Sequence, residues 1–429
     1  MIRLWSPDVN HRLRFAAACV FTHVLEVGHT WVTAPEEAHL CYAAKREGPG
    51  LHIMPTALGQ LGVVESDPAP GPSWHGWPTL GPTEGGIGFD LLGAVVFLAA
   101  RMEEYGRPKR DQHGRFPAAE SWMRRNGCLD RPLIDGWAQA LATELSTMFA
   151  DLTFPNRTYN VLSTVDVDSA YAYRGKGFKR TLGGFWGDLK RGDKANRRQR
   201  WQVLRGKQPD PFDTYETILQ EHARHSIPPL FFFLVADFDR PHDINLSHRR
   251  PALRALVLEL AERAEVGAHP GYRAAESAER LALEIGRVAD LKLGQVDHTR
   301  YHYLRGHFPE AFARLAHQGL RHDHTMGYAD AFGFRTGSCT PLPFFDLKAE
   351  VLTPLMLHPT AFMDTTALRY LHLDPEATIA AAAALAKEVR AVRGTLELLW
   401  HNEAWSNWKH WKGWSHVPEK VLAAVGPIS

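Results

Sequence analysis

Asp166 and Asp168 stand two residues apart in the run Thr164-Val-Asp-Val-Asp168. In an extended strand that spacing puts both carboxylates on one face. Two carboxylates held so close repel, and they call for a cation or a shared proton. A metal answers this if one Asp binds it and the other handles a proton. The same pattern also serves as a strand-end cap or turn. His269 lies in Val266-Gly-Ala-His-Pro-Gly-Tyr272, where Gly267 and Gly271 permit close backbone approach and Pro270 fixes the turn. A neutral imidazole there suits zinc or a similar ion. Cys339 lies near Arg335 in a Gly/Thr/Pro loop, but nothing else organises a cysteine nucleophile around it.

These side chains need elements to hold them. Residues 159–165 read as a buried strand that ends in the two carboxylates. Further strands are expected at 229–235, at 265–268 before His269, near 325–328, at 352–357 before His358, and at 395–400 before His401. Helical patterns separate them at 215–225, 250–264, 277–291, 308–318 and 377–393. Strand–helix alternation of this kind implies a parallel sheet with helices outside. The polar residues recur where strands end, which in a parallel α/β barrel is where sites are built. A distorted (β/α) barrel over residues 158–420 is therefore expected. Residues 1–150 read as a smaller α+β accessory domain with helices at 89–105 and 133–149 and no catalytic constellation. No glycine-rich dinucleotide fingerprint or phosphate loop is seen.

The 429 residues are 45% apolar and 23% charged, as expected for a chain with a real core. A formal net charge of +1 gives no bulk reason to expect nucleic acid. The four cysteines are scattered without a CxxC pair, which argues against a disulfide framework or a cysteine zinc site. The apolar runs 15–21 and 91–100 match neither an export signal nor a membrane span. A soluble, cytoplasmic protein is expected.

In order and type, these motifs resemble the polysaccharide deacetylases (NodB-like, family 4 carbohydrate esterases). The resemblance covers about residues 160–405. It is closest, at 166–171, 269–272 and 400–403, to a bacterial subgroup with an extra N-terminal domain. It implies that Asp166 is the general base, that Asp168 and His269 are metal ligands, and that Arg335, in Gly333-Phe-Arg335, orients the base. It also implies that His401, after Leu398-Leu-Trp400, is the general acid. The implied activity is metal-dependent removal of acetyl groups from N-acetylated amino sugars of a glycan, with a divalent metal as the cofactor, zinc the first choice.

Two departures stand out. The family's second ligand histidine would fall at Arg273, so a third ligand must come from elsewhere. His302, in Arg300-Tyr-His302, is the first choice, with His358 and His242 behind it. The acid histidine is commonly followed by Asp. Here Asn402 and Glu403 follow, and Glu403 is the candidate to hold the imidazole.

Trp400, Trp405, Trp408, Trp411 and Trp414 crowd the C-terminal region. They read first as a hydrophobic clamp, because buried Trp contributes much area. Trp405 and Trp408, with Tyr272, are the candidates to line a sugar cleft. Residues 174–207 form a basic insertion with twelve Lys/Arg against Asp188 and Asp193, suited to an anionic glycan, nucleic acid or membrane phosphates, or equally to a solvated insertion after the first strand. Competing functions are an inactive glycan-binding barrel, an amidohydrolase acting on small cyclic amides and, as an outsider, a nucleic-acid module.

Overall fold

The computed structural model describes residues 1–63 and 66–426. Its larger sheet runs through eight strands: β1 (Asn160–Val167), β2 (Pro229–Phe233), β3 (Glu265–Ala268), β4 (His298–Thr299), β5 (His322–Met326), β6 (Leu342–Asp346), β7 (Val351–Met363) and β8 (Thr395–His401). The order is β5-β4-β3-β2-β1-β8-β7-β6, and β5 also pairs with β7. That pairing closes seven parallel strands into a (β/α) barrel, while β6 lies antiparallel on β7. Helices Tyr215–Arg224, Pro251–Ala261, Ala278–Lys292, Glu310–His317 and Pro375–Ala391 alternate with the strands.

The chemistry of β1 follows its two-residue period. Ser163, Val165 and Val167 face one way; Thr164 and Asp166 face the other. On the first face the Ser163 hydroxyl lies 2.8 Å from Nε2 of His222, on helix Tyr215–Arg224. On the second, Thr164 Oγ1 donates to the Leu398 carbonyl of β8 at 2.7 Å. All five residues of β2 are buried, the continuous apolar run expected of a parallel strand covered on both faces. The register aligns Asp166 with Phe232 and Phe232 with Gly267. A Cβ on Gly267 would lie 2.7 Å from the Phe232 ring and 2.6 Å from the His298 carbonyl. Glycine is what lets that ring fill the row beside Asp166.

Several expected elements shift. The strand expected near 325–328 is displaced to His322–Met326, and the one at 352–357 extends to Met363. The helix expected at 89–105 stops at Ala99, and a short 3-10 turn, Met102–Glu104, follows. Arg101 breaks it with a left-handed backbone (φ +56°) and an ion pair to Glu104 at 2.8 Å. The strand β4 is too short for any pattern to reveal.

The chain divides into two compact units. The first is Met1–Val161, Leu304–Phe362 and Ala384–Glu397; the second is Leu162–Tyr303, Met363–Ala383 and Leu398–Ser429. The first contains a four-stranded parallel sheet, ordered His29–Trp31, Ile2–Trp5, Leu40–Tyr42, Leu51–Ile53, and the wholly buried helix Leu91–Ala99. Among the described residues no helix is long and apolar enough to cross a membrane.

Candidate active site

Asp166, Asp168, His269, His302 and His401 come together in the second unit. His269 is placed by its own backbone, whose N–H donates to the Phe233 carbonyl at 3.0 Å. The loop after it is tied to β4 and beyond: Arg300 N–H donates to the Ala268 carbonyl at 3.1 Å, and His302 N–H to the Pro270 carbonyl at 2.9 Å. Gly271 fits close to Asp243, where a Cβ would meet Oδ2 at 2.8 Å. Tyr303, with φ +64°, turns the chain just past His302, a conformation disfavoured for a bulky residue.

Around Asp168 the ring nitrogens converge. His269 Nε2 lies 3.2 Å from Asp168 Oδ1, and His302 Nε2 lies 3.4 Å from Oδ2. The ligand atoms of these three residues all lie within 4.8 Å of one another. Each imidazole is oriented from behind. His269 Nδ1 donates to the Arg300 carbonyl at 2.5 Å, and His302 Nδ1 faces Asp243 Oδ1 at 2.9 Å. A carbonyl only accepts, so the proton of neutral His269 sits on Nδ1 and Nε2 offers its lone pair. Asp168 Oδ1 and His269 Nε2 are buried with no hydrogen-bond partner. Two buried acceptors without a donor, beside a third aimed at the same carboxylate, fit a divalent cation.

Charge is concentrated here. Burial would raise the Asp168 carboxyl, but His302, His269 and His401 outweigh it and hold it well below the usual carboxylate range. Burial likewise disfavours charge on His302, yet Asp168 and Asp243 push it up to about 9. His401 is pushed up to about 10: burial opposes protonation, and Asp364, Asp168 and Asp166 overcome it. His401 Nδ1 lies 2.7 Å from Asp364 Oδ1, while its Nε2 points toward Asp168 Oδ2 at 3.8 Å.

Asp166 is buried, and its Oδ1 accepts from Arg300 at 2.8 Å. The Arg300 guanidinium also lies over the Phe232 ring, 4.7 Å from its centroid. Asp166 Oδ2 is 3.5 Å from His269 Nε2.

Residues 2–150 match a family model described as a family of unknown function, DUF7033. No curated protein matches the chain. Among solved structures, the chain is similar to a protein assigned as a polysaccharide deacetylase from Mycobacterium smegmatis (14% identity, 64% of this chain, 86% of that one, TM-score 0.41). It is also similar to the PuuE allantoinase (12%, 62%, 84%, TM-score 0.38). A third is the polysaccharide deacetylase Bc1974 from Bacillus cereus (13%, 63%, 87%, TM-score 0.28).

Several sequence expectations need correction. Arg335 is not the arginine on Asp166. Its guanidinium pairs with Glu104 at 2.6 Å in the first unit, and Arg300 holds Asp166 instead. Glu403 does not hold His401; Asp364 does. Trp405 is buried in the core, its ring 5.7 Å from His222 and 6.3 Å from Trp400, so it presents no face to a sugar. Trp408 is half-buried. Its Nε1 donates to Gln199 at 2.8 Å, and Lys409 Nζ lies 3.9 Å over its ring. Tyr272 stacks on His242 at 3.8 Å. Arg273 is exposed and pairs with Asp239 at 2.9 Å. His358 belongs to a second grouping in the first unit, with His324 and Glu397. Cys339 is buried, and burial pushes its thiol well above the usual range, so it is no thiolate nucleophile.

Arg300, Asp243 and Asp364 were missed. Arg300 carried a signal: it precedes His302 by two residues, the same period that pairs Asp166 with Asp168. Asp364 directly follows the long strand β7, another carboxylate at a strand end.

Proposed function

We propose that the chain is a metal-dependent hydrolase that removes acetyl groups from N-acetylated amino sugars of a glycan. The observation that carries this reading is the pair of partnerless buried atoms, Asp168 Oδ1 and His269 Nε2, set with His302 between a held base and a protonated acid. Asp168, His269 and His302 would hold the cation, and an Asp/His donor set suits zinc. A divalent cation in such a site supplies Lewis acidity toward water and the acyl oxygen.

The chain's own groups do the rest. Asp166, aimed by Arg300, takes the proton of the attacking water. His401 carries a proton at neutral pH and delivers it from Nε2 to the leaving amine. Asp364 fixes the ring so that Nε2 faces the site. Tyr272, half-exposed beside the ligand loop, is our candidate to line the substrate. An anionic stretch of the glycan would suit the cleft of about 650 Å³ lined in part by Arg198, Gln199, Trp408, Lys409 and Lys412. All four cysteines are free and buried, consistent with a reducing compartment, and we place the protein in the cytoplasm on that basis.

Acetate release from N-acetylated oligosaccharides tests the proposal. Chelation and Asp168→Ala should each lower it at least about a hundredfold, with zinc restoring only the chelated protein. Activity indifferent to both treatments overturns the reading. Hydrolysis of small cyclic amides in place of the glycans would keep the metal chemistry and reject the substrate.

A further inference from the structure

The basic insertion folds as a helical hairpin whose exposed apolar residues no part of the proposed reaction uses. Helix α1 (Gly177–Lys190) and helix α2 (Lys194–Leu204) make up its length. Phe178, Leu182, Trp186 and Leu189 fall at intervals of four, four and three. On a helix these positions span an arc of about 80°. They are not packed inward: Phe178 is 82% exposed, Leu182 58%, Trp186 61% and Leu189 52%. Trp201 and Leu204 of α2 are exposed too. Trp201 meets Phe185 edge-on at 6.2 Å, which joins the apolar residues of the two helices. Among the described residues, six of the seventeen exposed large hydrophobics lie on these two helices.

The charges around this ridge are of one sign. Lys179, Lys190, Arg191 and Lys194 are exposed. Both acidic residues are engaged within the hairpin. Asp188 is fully buried, bonded to Asn196 at 2.6 Å and to Arg191 and Arg200 at 2.8 Å. Asp193 caps α2 by accepting from the Asn196 N–H at 2.9 Å. Internal pairing therefore leaves the outside cationic.

We infer that this hairpin docks the protein on an anionic lipid surface, with the α1 ridge entering the headgroup boundary and the flanking lysines and arginines meeting lipid phosphates. An apolar, partly aromatic stripe flanked by Lys and Arg is the pattern of an interfacial helix. A second copy fits poorly, since a symmetric contact would set two cationic faces against each other.

Co-sedimentation with vesicles tests this independently of any enzymatic activity. Three proteins are compared: wild type, Leu182→Ser/Trp186→Ser and Lys179→Glu/Lys190→Glu. The vesicles are phosphatidylcholine with or without 30% phosphatidylglycerol. Thermal unfolding of all three should coincide, because the altered side chains are exposed. Wild type should sediment with the anionic vesicles and at least tenfold less with the neutral ones. Both variants should bind the anionic vesicles at least tenfold more weakly. Three results would overturn the inference. One is no wild-type binding to anionic vesicles. Another is undiminished binding by Leu182→Ser/Trp186→Ser, which would mean charge alone attracts any polyanion. The last is a wild-type dimer in solution that this variant abolishes, which would give the ridge to a second copy.

Discussion

Asp166 and His401 each have one charged group bonded to them, Arg300 and Asp364, so their roles can be separated by changing that neighbour. Arg300 donates to Asp166, and removing it leaves the base buried without its cation. Arg300→Ala should lower kcat roughly a hundredfold in the fraction that folds, and it should also cost about 3–5 kcal/mol of stability, because it strands a buried carboxylate. Arg335→Ala should leave kcat alone. It takes one of two arginines from buried Glu104, which keeps Arg101, so its effect should appear in thermal unfolding, at about 1–3 kcal/mol, with acetate release from the folded fraction preserved. Asp364 leads the groups that push His401 up to about 10. The protonated acid should therefore persist through neutral pH, and activity should fall as pH rises through about 10. Asp364→Asn removes the leading favourable contribution. The alkaline limb of kcat/KM should move down toward the ordinary imidazole range, while the acid limb stays in place. An unmoved alkaline limb would dissociate Asp364 from the proton donor.

The strands explain which parts of the site could be read from sequence. Asp166 and Asp168 betray themselves because a two-residue period has a fixed geometric meaning, and His269 and His401 because each directly follows an apolar run. The third candidate ligand is harder to read. His302 lies beyond a two-residue strand, and it reaches Asp168 only because its N–H is tied to Pro270. Arg335 misled because an arginine in a Gly/Thr loop gives no hint of a carboxylate 231 positions away that claims it. Trp405 misled for a related reason: spacing along a segment says nothing of which face the core covers. Within the barrel, Gly267 is the most exacting backbone position. Gly267→Ala sets a methyl against the Phe232 ring, the same ring that supports Arg300. The expected cost is about 1–3 kcal/mol of stability, with a lower kcat in the fraction that folds. Denaturant unfolding and single-turnover rates would register the two effects separately.

At the scale of the molecule, residues 304–362 and 384–397 share a compact unit with Met1–Val161. Phe345 stacks on Phe15 at 4.9 Å, and Phe308 lies 6.4 Å from Tyr105. A polypeptide of residues 158–420 keeps the whole candidate site but uncovers those rings. It should express largely insoluble or unfold without a sharp transition, and soluble fraction and calorimetry would show it. A soluble, sharply melting, active 158–420 fragment would mean that the barrel stands alone.

The interleaving has one more consequence. Each unit is gathered from three separated stretches of chain. Neither can be lifted out by a single crossover between genes or released by a single protease nick. Residues 2–150, which match their own family model, can be exchanged for another version only if the incoming segment presents partners for Phe345 and Phe308. Shuffling at that boundary is thus restricted to pairs of sequences that have changed together.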